Sequence, residues 1–484
     1  MQLMAASQQK KSFGIIGGLG ALASADVFFK LVKAAPPQSG RNAFDFVFEQ
    51  RAFDAGVLAG DLKASQVARK LYIYDRIKDF EQRKVDVVIL PCFISHTFID
   101  ELRKEIKLPI VDMMEAIKNH VQKKFPEVKK IGVLTSDYVK SKKLFENYFP
   151  RQIIYPTQEA QAKLMSAIYG PNGLQAGQLQ GQSIANLQGA CQDLANQGVE
   201  LILPGATEIA MVVERLQHNP LPIIDTNQVY AQCAYSNDSN PLQQIYKVGI
   251  VGGVGPAATV DFMNKIIRNT KAKRDQEHIK LVVEHNPQIP DRTENLISEG
   301  ADPTVALYAT CKKLEADEAN MIAIPCNTAH AFVERIQPYL SIPIVNMLYE
   351  TTQYIKTNYP NKTPIGLLAT TGTIKSRVYH DVAEKAGISL IVPDEANQNL
   401  VMNSIYGKQG VKAGFTDGIC KTELMTALTH LVNQGAQIIV LGCTELPLLI
   451  AQTDNFMVGN QSVVVLDPTE ILAKKCVQLS SVTA

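Results

Sequence analysis

Two cysteine motifs in the second half of the chain hold the residues best suited to chemistry: PCNTAH at 325–330 and GCTELP at 442–447. Each follows a short apolar run, MIAI and IIVL, and each leads into residues suited to a helix. A thiol at such a junction stands at the carboxyl end of a buried strand, where open α/β sheets bind ligands, and beside a helix start, which favours a thiolate. An ordinary thiol pKa of about 8.5 is within tuning range of neutrality. Cys326 and Cys443, facing each other across one cleft, would form a symmetric acid/base pair. That pair suits removal of an α-proton from an amino acid: one thiolate takes the proton from one face, the other thiol supplies one to the opposite face, and the reverse reaction swaps the roles. The carbanion formed is poorly stabilised. Enzymes usually recruit a pyridoxal cofactor as electron sink, and a route without one needs donors around the enolate-like carboxylate.

The polar followers Asn327, Thr328, Thr444 and Glu445 set these two cysteines apart from merely buried ones. Asn327, Thr328 and Thr444 are expected to hold an α-carboxylate and ammonium through side chains and helix-start amides. Glu445 either orients the ammonium, supports its thiol, or is a helix-start carboxylate with no chemical role. Cys191, Cys233, Cys311, Cys420 and Cys476 read as small buried hydrophobes. With eight histidines, none paired at metal-ligand spacing, and no CxxC motif, no metal site is expected, and His330 reads as a supporting or core residue.

The elements that must position these residues occur twice. GIIGGLGALASADVFFKLVK at 14–33 matches GIVGGVGPAATVDFMNKIIR at 249–268. PCFISH at 91 matches PCNTAH, IGVLTS at 131 matches IGLLAT at 365, SAIYGPNG at 166 matches NSIYGKQG at 403, PGATE at 204 matches LGCTE at 441, and IIDT at 223 matches VLDP at 465. The offset drifts only from 234 to 242 residues, as a few loop insertions would cause. The chain is a duplication, with its boundary expected in the turn-rich SNDSNP at 236–241 and domains at 1–240 and 241–484. Short β-type runs alternate with helical patterns in each half, which gives parallel βαβ units. The expected fold is α/β, a tandem repeat of a two-lobed parallel-sheet unit with four similar lobes in all.

Bulk properties narrow the function. The 484 residues are 46% hydrophobic and carry 48 basic against 47 acidic side chains, a formal charge of +1. That balance favours neither nucleic acid nor an anionic membrane, and no apolar run approaches the roughly 18–20 residues of a membrane span. The stretch ending in Ala23, Ser24 and Ala25 imitates a signal peptide, but it recurs at 249, so a cytoplasmic protein with reduced thiols is expected. The loop around Gly253, Gly255 and Ala258 fits a dinucleotide-binding pattern, with Glu284 at the ribose-acid distance, and Gly18, Gly20, Ala23 and Glu49 repeat it. Its minimal content is a sharp turn exposing amides at a helix start, which suits any small anion. A nicotinamide reading also leaves both cysteine motifs unexplained.

GGVGPAAT, NPQIPDRT, PCNTAH, TGTIKS and GCTE together resemble the aspartate/glutamate racemase superfamily, in particular its aspartate racemase branch, over nearly all of the second half and more faintly over the first. The resemblance implies a cofactor-free, metal-free racemase of two α/β lobes per unit, acting on aspartate or glutamate through Cys326 and Cys443. By analogy with glutamate racemases, Cys326 acts on the D-enantiomer and Cys443 on the L-enantiomer. Arg292, in PDRT, and Lys375, in TIKS, fall at the family's positions for holding the substrate's side-chain carboxylate, roles that a bidentate guanidinium and a nearby ammonium suit. The alternatives are a non-catalytic sensor of acidic amino acids, and another cysteine-pair member of the superfamily such as a hydantoin racemase or a dicarboxylate cis-trans isomerase.

The first half departs at the functional positions. Ala206 stands in place of Cys443, Phe93 and Ile94 replace Asn327 and Thr328, and Asp54-Ala55 aligns with Asp291-Arg292, so the arginine is missing there. Cys92, Lys140, Thr207 and Glu208 remain. A two-base racemase cannot work with one thiol. The first half is therefore expected to be degenerate. It could pack as the second subunit of a pseudo-dimer, bind another small acid and modulate its neighbour, or run one-base chemistry at Cys92.

Overall fold

The computed structural model of the protein describes residues 10–36, 44–51, 53, 62–216, 221–236, 245–298 and 300–482. The chain divides into two compact units, Met1–Gln244 and Ile245–Ala484. Most of the SNDSNP segment, and Asp54 and Ala55, lie outside the described residues.

The first unit holds two three-stranded parallel sheets. Strands β1 (Lys11–Ile16), β2 (Phe44–Glu49) and β3 (Val87–Ile89) form one in the order β2-β1-β3; β4 (Lys130–Thr135), β5 (Gln152–Ile154) and β6 (Leu201–Gly205) form the other in the order β5-β4-β6. In the second unit β7 (Lys247–Gly252), β8 (Lys280–His285), β9 (Met321–Ala323) and β10 (Ile344–Val345) make a sheet ordered β10-β9-β7-β8. Its second sheet runs β12-β11-β13-β15-β14, built from β11 (Ile365–Ala369), β12 (Leu390–Ile391), β13 (Ile438–Gly442), β14 (Thr453–Val458) and β15 (Gln461–Leu466). Every pairing is parallel except β14 with β15. The β14–β15 hairpin has only a single bridge, Ile202 to Ile223, as its counterpart among the described residues of the first unit. It accounts for the step in offset between the GCTE and VLDP matches.

The apolar runs read from the sequence are the central strands because both faces of a parallel sheet are covered by helices. On one face of the β7 sheet, Val251, Ile322 and Ile324 pack with Leu307, Leu314 and Phe332; on the other, Val248, Ile250 and Met321 pack with Phe262, Leu472 and Cys476. Each fully buried Ile, Leu or Phe contributes about 1.5–3 kcal/mol relative to exposure.

In each unit the last helix crosses back from the second lobe to the first. Helix Pro468–Val482 supplies Leu472 and Cys476 to the β7 core, and Lys265 on helix Pro256–Asn269 pairs with Asp467 at 2.5 Å. The first unit repeats the device, with Lys30 paired to Asp225 at 2.7 Å and buried Tyr230 bonded to Leu90 N and Val111 O. Two lobes joined by two crossings hold their strand ends toward one cleft. No helix among the described residues is long and apolar enough to cross a membrane.

Candidate active site

Both motif cysteines lie where the sequence pattern expects them. Cys443 directly follows β13, and Cys326 follows β9 by two residues. Both line a single cavity of about 280 Å³, its open mouth included, together with Arg292, Asn327, Thr328, Thr444 and Glu445. Each cysteine is 7% exposed, so both sulfur-bearing side chains reach the cavity rather than being sealed in the core.

The two thiols sit in opposite electrostatic surroundings. The Cys443 thiol donates to Glu445 Oε2 at 3.0 Å. Burial first, then the Glu445 charge and that hydrogen bond, push its pKa well above the ordinary value, so it rests as a thiol. Cys326 instead neighbours Arg292. Burial works against the Arg292 charge, but Cys326 and Asp291 outweigh it and hold the guanidinium above its ordinary range. An anion at Cys326 therefore has a counter-charge, and a proton at Cys443 has an acceptor.

The polar groups expected at the substrate are held and partly unpaired. Arg292 Nη1 is pinned by the carbonyls of Ile289 and Pro290 at 3.2 and 3.1 Å, which leaves Nε buried without a partner. Tyr379 donates to Asn327 Oδ1 at 2.6 Å, and Asn327 Nδ2 is likewise buried and unpaired. Unsatisfied buried donors cost about 1–3 kcal/mol each. Two of them on one cavity are a standing requirement for acceptor atoms such as carboxylate oxygens. Threonine hydroxyls draw the lobes together around them: Thr328 meets Thr373 at 2.8 Å, and Thr293 donates to Thr370 at 3.2 Å.

Lys375 requires a correction. It ends the short helix Thr371–Lys375, is exposed, and does not line the cavity. Helix Thr371–Lys375 directs its buried residues Gly372 and Thr373 at the site, where Gly372 meets the backbone of Thr293, and its last turn faces solvent. The lysine that lines the cavity is Lys412, from the turn after helix Glu395–Tyr406. Burial alone would lower its pKa, but Glu445, Tyr406 and Cys443 outweigh that and hold it charged; it also lies 4.2 Å from the centre of the Tyr406 ring. Tyr406 lines the same cavity. The recurrence of SAIYGPNG as NSIYGKQG was the available signal for Tyr406; Lys412 lies two residues beyond that motif.

The glycine loop packs against the site. Gly253 and Gly255 have φ of +86° and +116°, and a Cβ on Gly255 would fall 2.6 Å from Glu445 Oε1. The carboxylate thus occupies the approach to the loop. Glu284, the candidate ribose acid, pairs with Lys313 at 2.5 Å, and Glu49 pairs with Arg76 at 2.6 Å. His330 bridges Cys326 O at 2.9 Å and Met347 N at 3.1 Å, and burial lowers its pKa to about 4, so it stays neutral and fixes the backbone that carries Cys326. His96 makes the same bridge from Cys92 O to Met113 N. Of the remaining cysteines, Cys191, Cys311, Cys420 and Cys476 are buried, and burial pushes Cys191, Cys311 and Cys476 up to about 12. No cluster of His, Cys, Asp and Glu suited to a metal ion occurs among the described residues.

Comparison with known proteins identifies the family. The chain is 28% identical over 234 residues to the broad specificity amino-acid racemase RacX of Bacillus subtilis (strain 168), an alignment covering 48% of this chain and 96% of that one. It is 27% identical over 186 residues to a glutamate racemase of Roseiflexus sp. (strain RS-1), covering 38% of this chain and 64% of the relative. Among solved structures, Picrophilus torridus aspartate racemase is similar at 28% identity and a TM-score of 0.43, covering 49% of this chain and 94% of that one. The family model of Asp/Glu/Hydantoin racemases matches residues 16–234 and again 251–476. The chain therefore belongs to the Asp/Glu/Hydantoin racemase family and carries two copies of its unit in tandem.

Proposed function

We propose that the second unit interconverts the enantiomers of a small acidic amino acid, with aspartate favoured and glutamate next, by a two-base mechanism on Cys326 and Cys443. The observation that carries this reading is the single cavity in which two thiols, two cations and two unpaired buried donors converge. Arg292 and Lys412 supply charge for a side-chain carboxylate, and the guanidinium offers a bidentate fork. Asn327 Nδ2, Thr328 and Thr444 serve the α-carboxylate, whose oxygens gain charge as the α-proton leaves.

In one direction the Cys326 thiolate removes the α-proton, and the Cys443 thiol delivers its own proton to the opposite face of the same carbon. Cys326 ends as a thiol and Cys443 as a thiolate. The new charge at Cys443 then lies beside Lys412; before the next turnover Cys326 gives its proton to solvent and Cys443 takes one back, with Glu445 placed to pass it. In the other direction the roles reverse. Glu445 is in this reading a positioning residue for Cys443.

The test is proton NMR of L-aspartate in heavy water without added cofactor, followed by chiral chromatography over a panel of amino acids. Exchange and racemisation that disappear in Cys326→Ser and in Cys443→Ser support the proposal. Tight binding with no exchange of any tested amino acid would instead make the unit a sensor.

A further inference from the structure

The first unit keeps a cavity at the corresponding strand ends, of about 390 Å³ with its open mouth, walled by Cys92, Phe93, Ile94, Tyr169, Ala206 and Glu208 among others. Sequence alignment leaves this half without an arginine, yet Arg69 lines the cavity. It comes from the long helix Leu62–Gln82, whereas Arg292 begins helix Arg292–Ser298, so the guanidinium arrives from a different element. Arg69 Nη1 donates to Cys92 Sγ at 3.6 Å, and the guanidinium lies 5.0 Å from the centre of the Phe53 ring. Among the described residues Arg69 forms no salt bridge with a carboxylate, and its charge acts across the cavity on the buried Glu208, whose pKa it lowers against the larger effect of burial.

The remaining walls set the rest of the ligand. Gln175 stands where the second unit has Lys412, so among the described residues this cavity holds one cation where the other holds two. Phe93 is buried and stacked on Phe145 at 5.8 Å, which fixes an apolar wall where Asn327 supplies a polar one. Ile94 and Ala206 extend that wall over the positions of Thr328 and Cys443. Among the described residues this surface offers a second carboxylate no further counter-charge, a cost of several kcal/mol for a desolvated ion. An apolar substituent gains about 25 cal/mol per Å² it buries there.

We propose that the first unit is a binding site for a small monocarboxylate bearing an apolar substituent, with Arg69 as the carboxylate's partner and the Phe93, Ile94 and Ala206 surface as the pocket for its tail. The site is independent of any chemistry in the second unit. With one thiol where the second unit has two, the cavity is assigned binding and not inversion.

The experiment measures alkylation of Cys92 by iodoacetamide in the full-length chain, followed by peptide mass spectrometry, with 4-methylpentanoate and succinate as probes and calorimetry in parallel. We expect 4-methylpentanoate to slow Cys92 labelling and succinate to do so at least ten-fold less effectively. Arg69→Gln should weaken 4-methylpentanoate about ten-fold or more, the worth of a charge-assisted hydrogen bond to carboxylate. Arg69→Lys should recover part of that loss, and Ala206→Leu should abolish protection by filling the pocket with the arginine intact. Arg292→Gln should leave it unchanged. Equal protection by succinate, protection that survives Arg69→Gln, or heat of binding that vanishes with Arg292→Gln would overturn the proposal.

Discussion

The two cavities are built on the same frame and differ in what the frame presents. His96 and His330 bridge the same backbone atoms, Tyr169 and Tyr406 stand at matching positions, and Thr207-Glu208 repeats Thr444-Glu445. Even the tight approach recurs: a Cβ on Gly20 would fall 2.8 Å from Glu208 Oε1, as one on Gly255 would meet Glu445. The differences are chemical. A thiol becomes Ala206, an amide and a hydroxyl become Phe93 and Ile94, and the lysine becomes Gln175. On the proposed reading it is not the fold that specifies racemisation but four or five side chains, on a scaffold that tolerates their loss.

The one carboxyl side chain among the described residues lining each cavity sharpens the contrast. Burial raises the Glu208 pKa and outweighs its hydrogen bonds and the Arg69 charge, which act to lower it. Glu445 has Lys412 beside it, and its charge is felt in the raised values of both Lys412 and Cys443. The same residue is thus a counter-charge in one cavity and a buried acid in the other.

The largest expected effect breaks the comparison outright. Cys326→Ala or Cys443→Ala should lower racemisation by at least about 10²–10⁴-fold, the worth of a positioned acid or base, while Cys92→Ala leaves turnover at the wild-type value in the same chiral assay. Next comes Arg292→Gln, which should lower kcat/KM about 10–150-fold through loss of charged hydrogen bonds to the substrate carboxylate. Lys375→Gln should leave kcat/KM within about two-fold, because an exposed charge outside the cavity acts only through screened field; a loss as large as that of Arg292→Gln would restore Lys375 to the site.

A pH profile separates the thiols. In the direction that uses Cys443 as base, the rate rises as its raised pKa is passed. Glu445→Gln removes the neighbouring negative charge that favours the S–H, so that rising limb should move to lower pH; a limb that stays in place would show that the Glu445 charge does not control this thiol. The smallest effect concerns stability. A buried His330 with a pKa of about 4 is neutral when folded and takes up a proton near about 6.5 when unfolded, so its contribution is whole above about pH 6.5 and is lost as pH falls toward 4. Denaturant titrations at pH 7 and pH 5 should differ in midpoint, and His330→Asn should reduce that difference.

Much of this was legible from the chain alone. Repeats at a near-constant offset, and apolar runs of four or five residues ending at a cysteine, define strands and their ends because a parallel sheet is buried on both faces. Cys326, Cys443, Asn327, Thr328, Thr444 and Glu445 fall in the motifs next to those strands and meet in one cavity with Arg292. What was not legible came from elements with no fixed distance from a strand end. Lys412 enters from a turn after a helix, and Arg69 from a helix whose counterpart position holds no arginine, so neither alignment nor periodicity points at them. Lys375 was misplaced because a five-residue helix has two faces, and the motif does not say which is buried.

The most direct test of two thiols acting on opposite faces of one carbon is the early-time isotope content of both enantiomers, followed by NMR and chiral chromatography in heavy water. A two-thiol site predicts product that carries deuterium at the α-carbon from the first turnovers while recovered substrate keeps its protium. Equal labelling of substrate and product from the start would mean a single base reaches both faces, and would contradict the paired roles of Cys326 and Cys443.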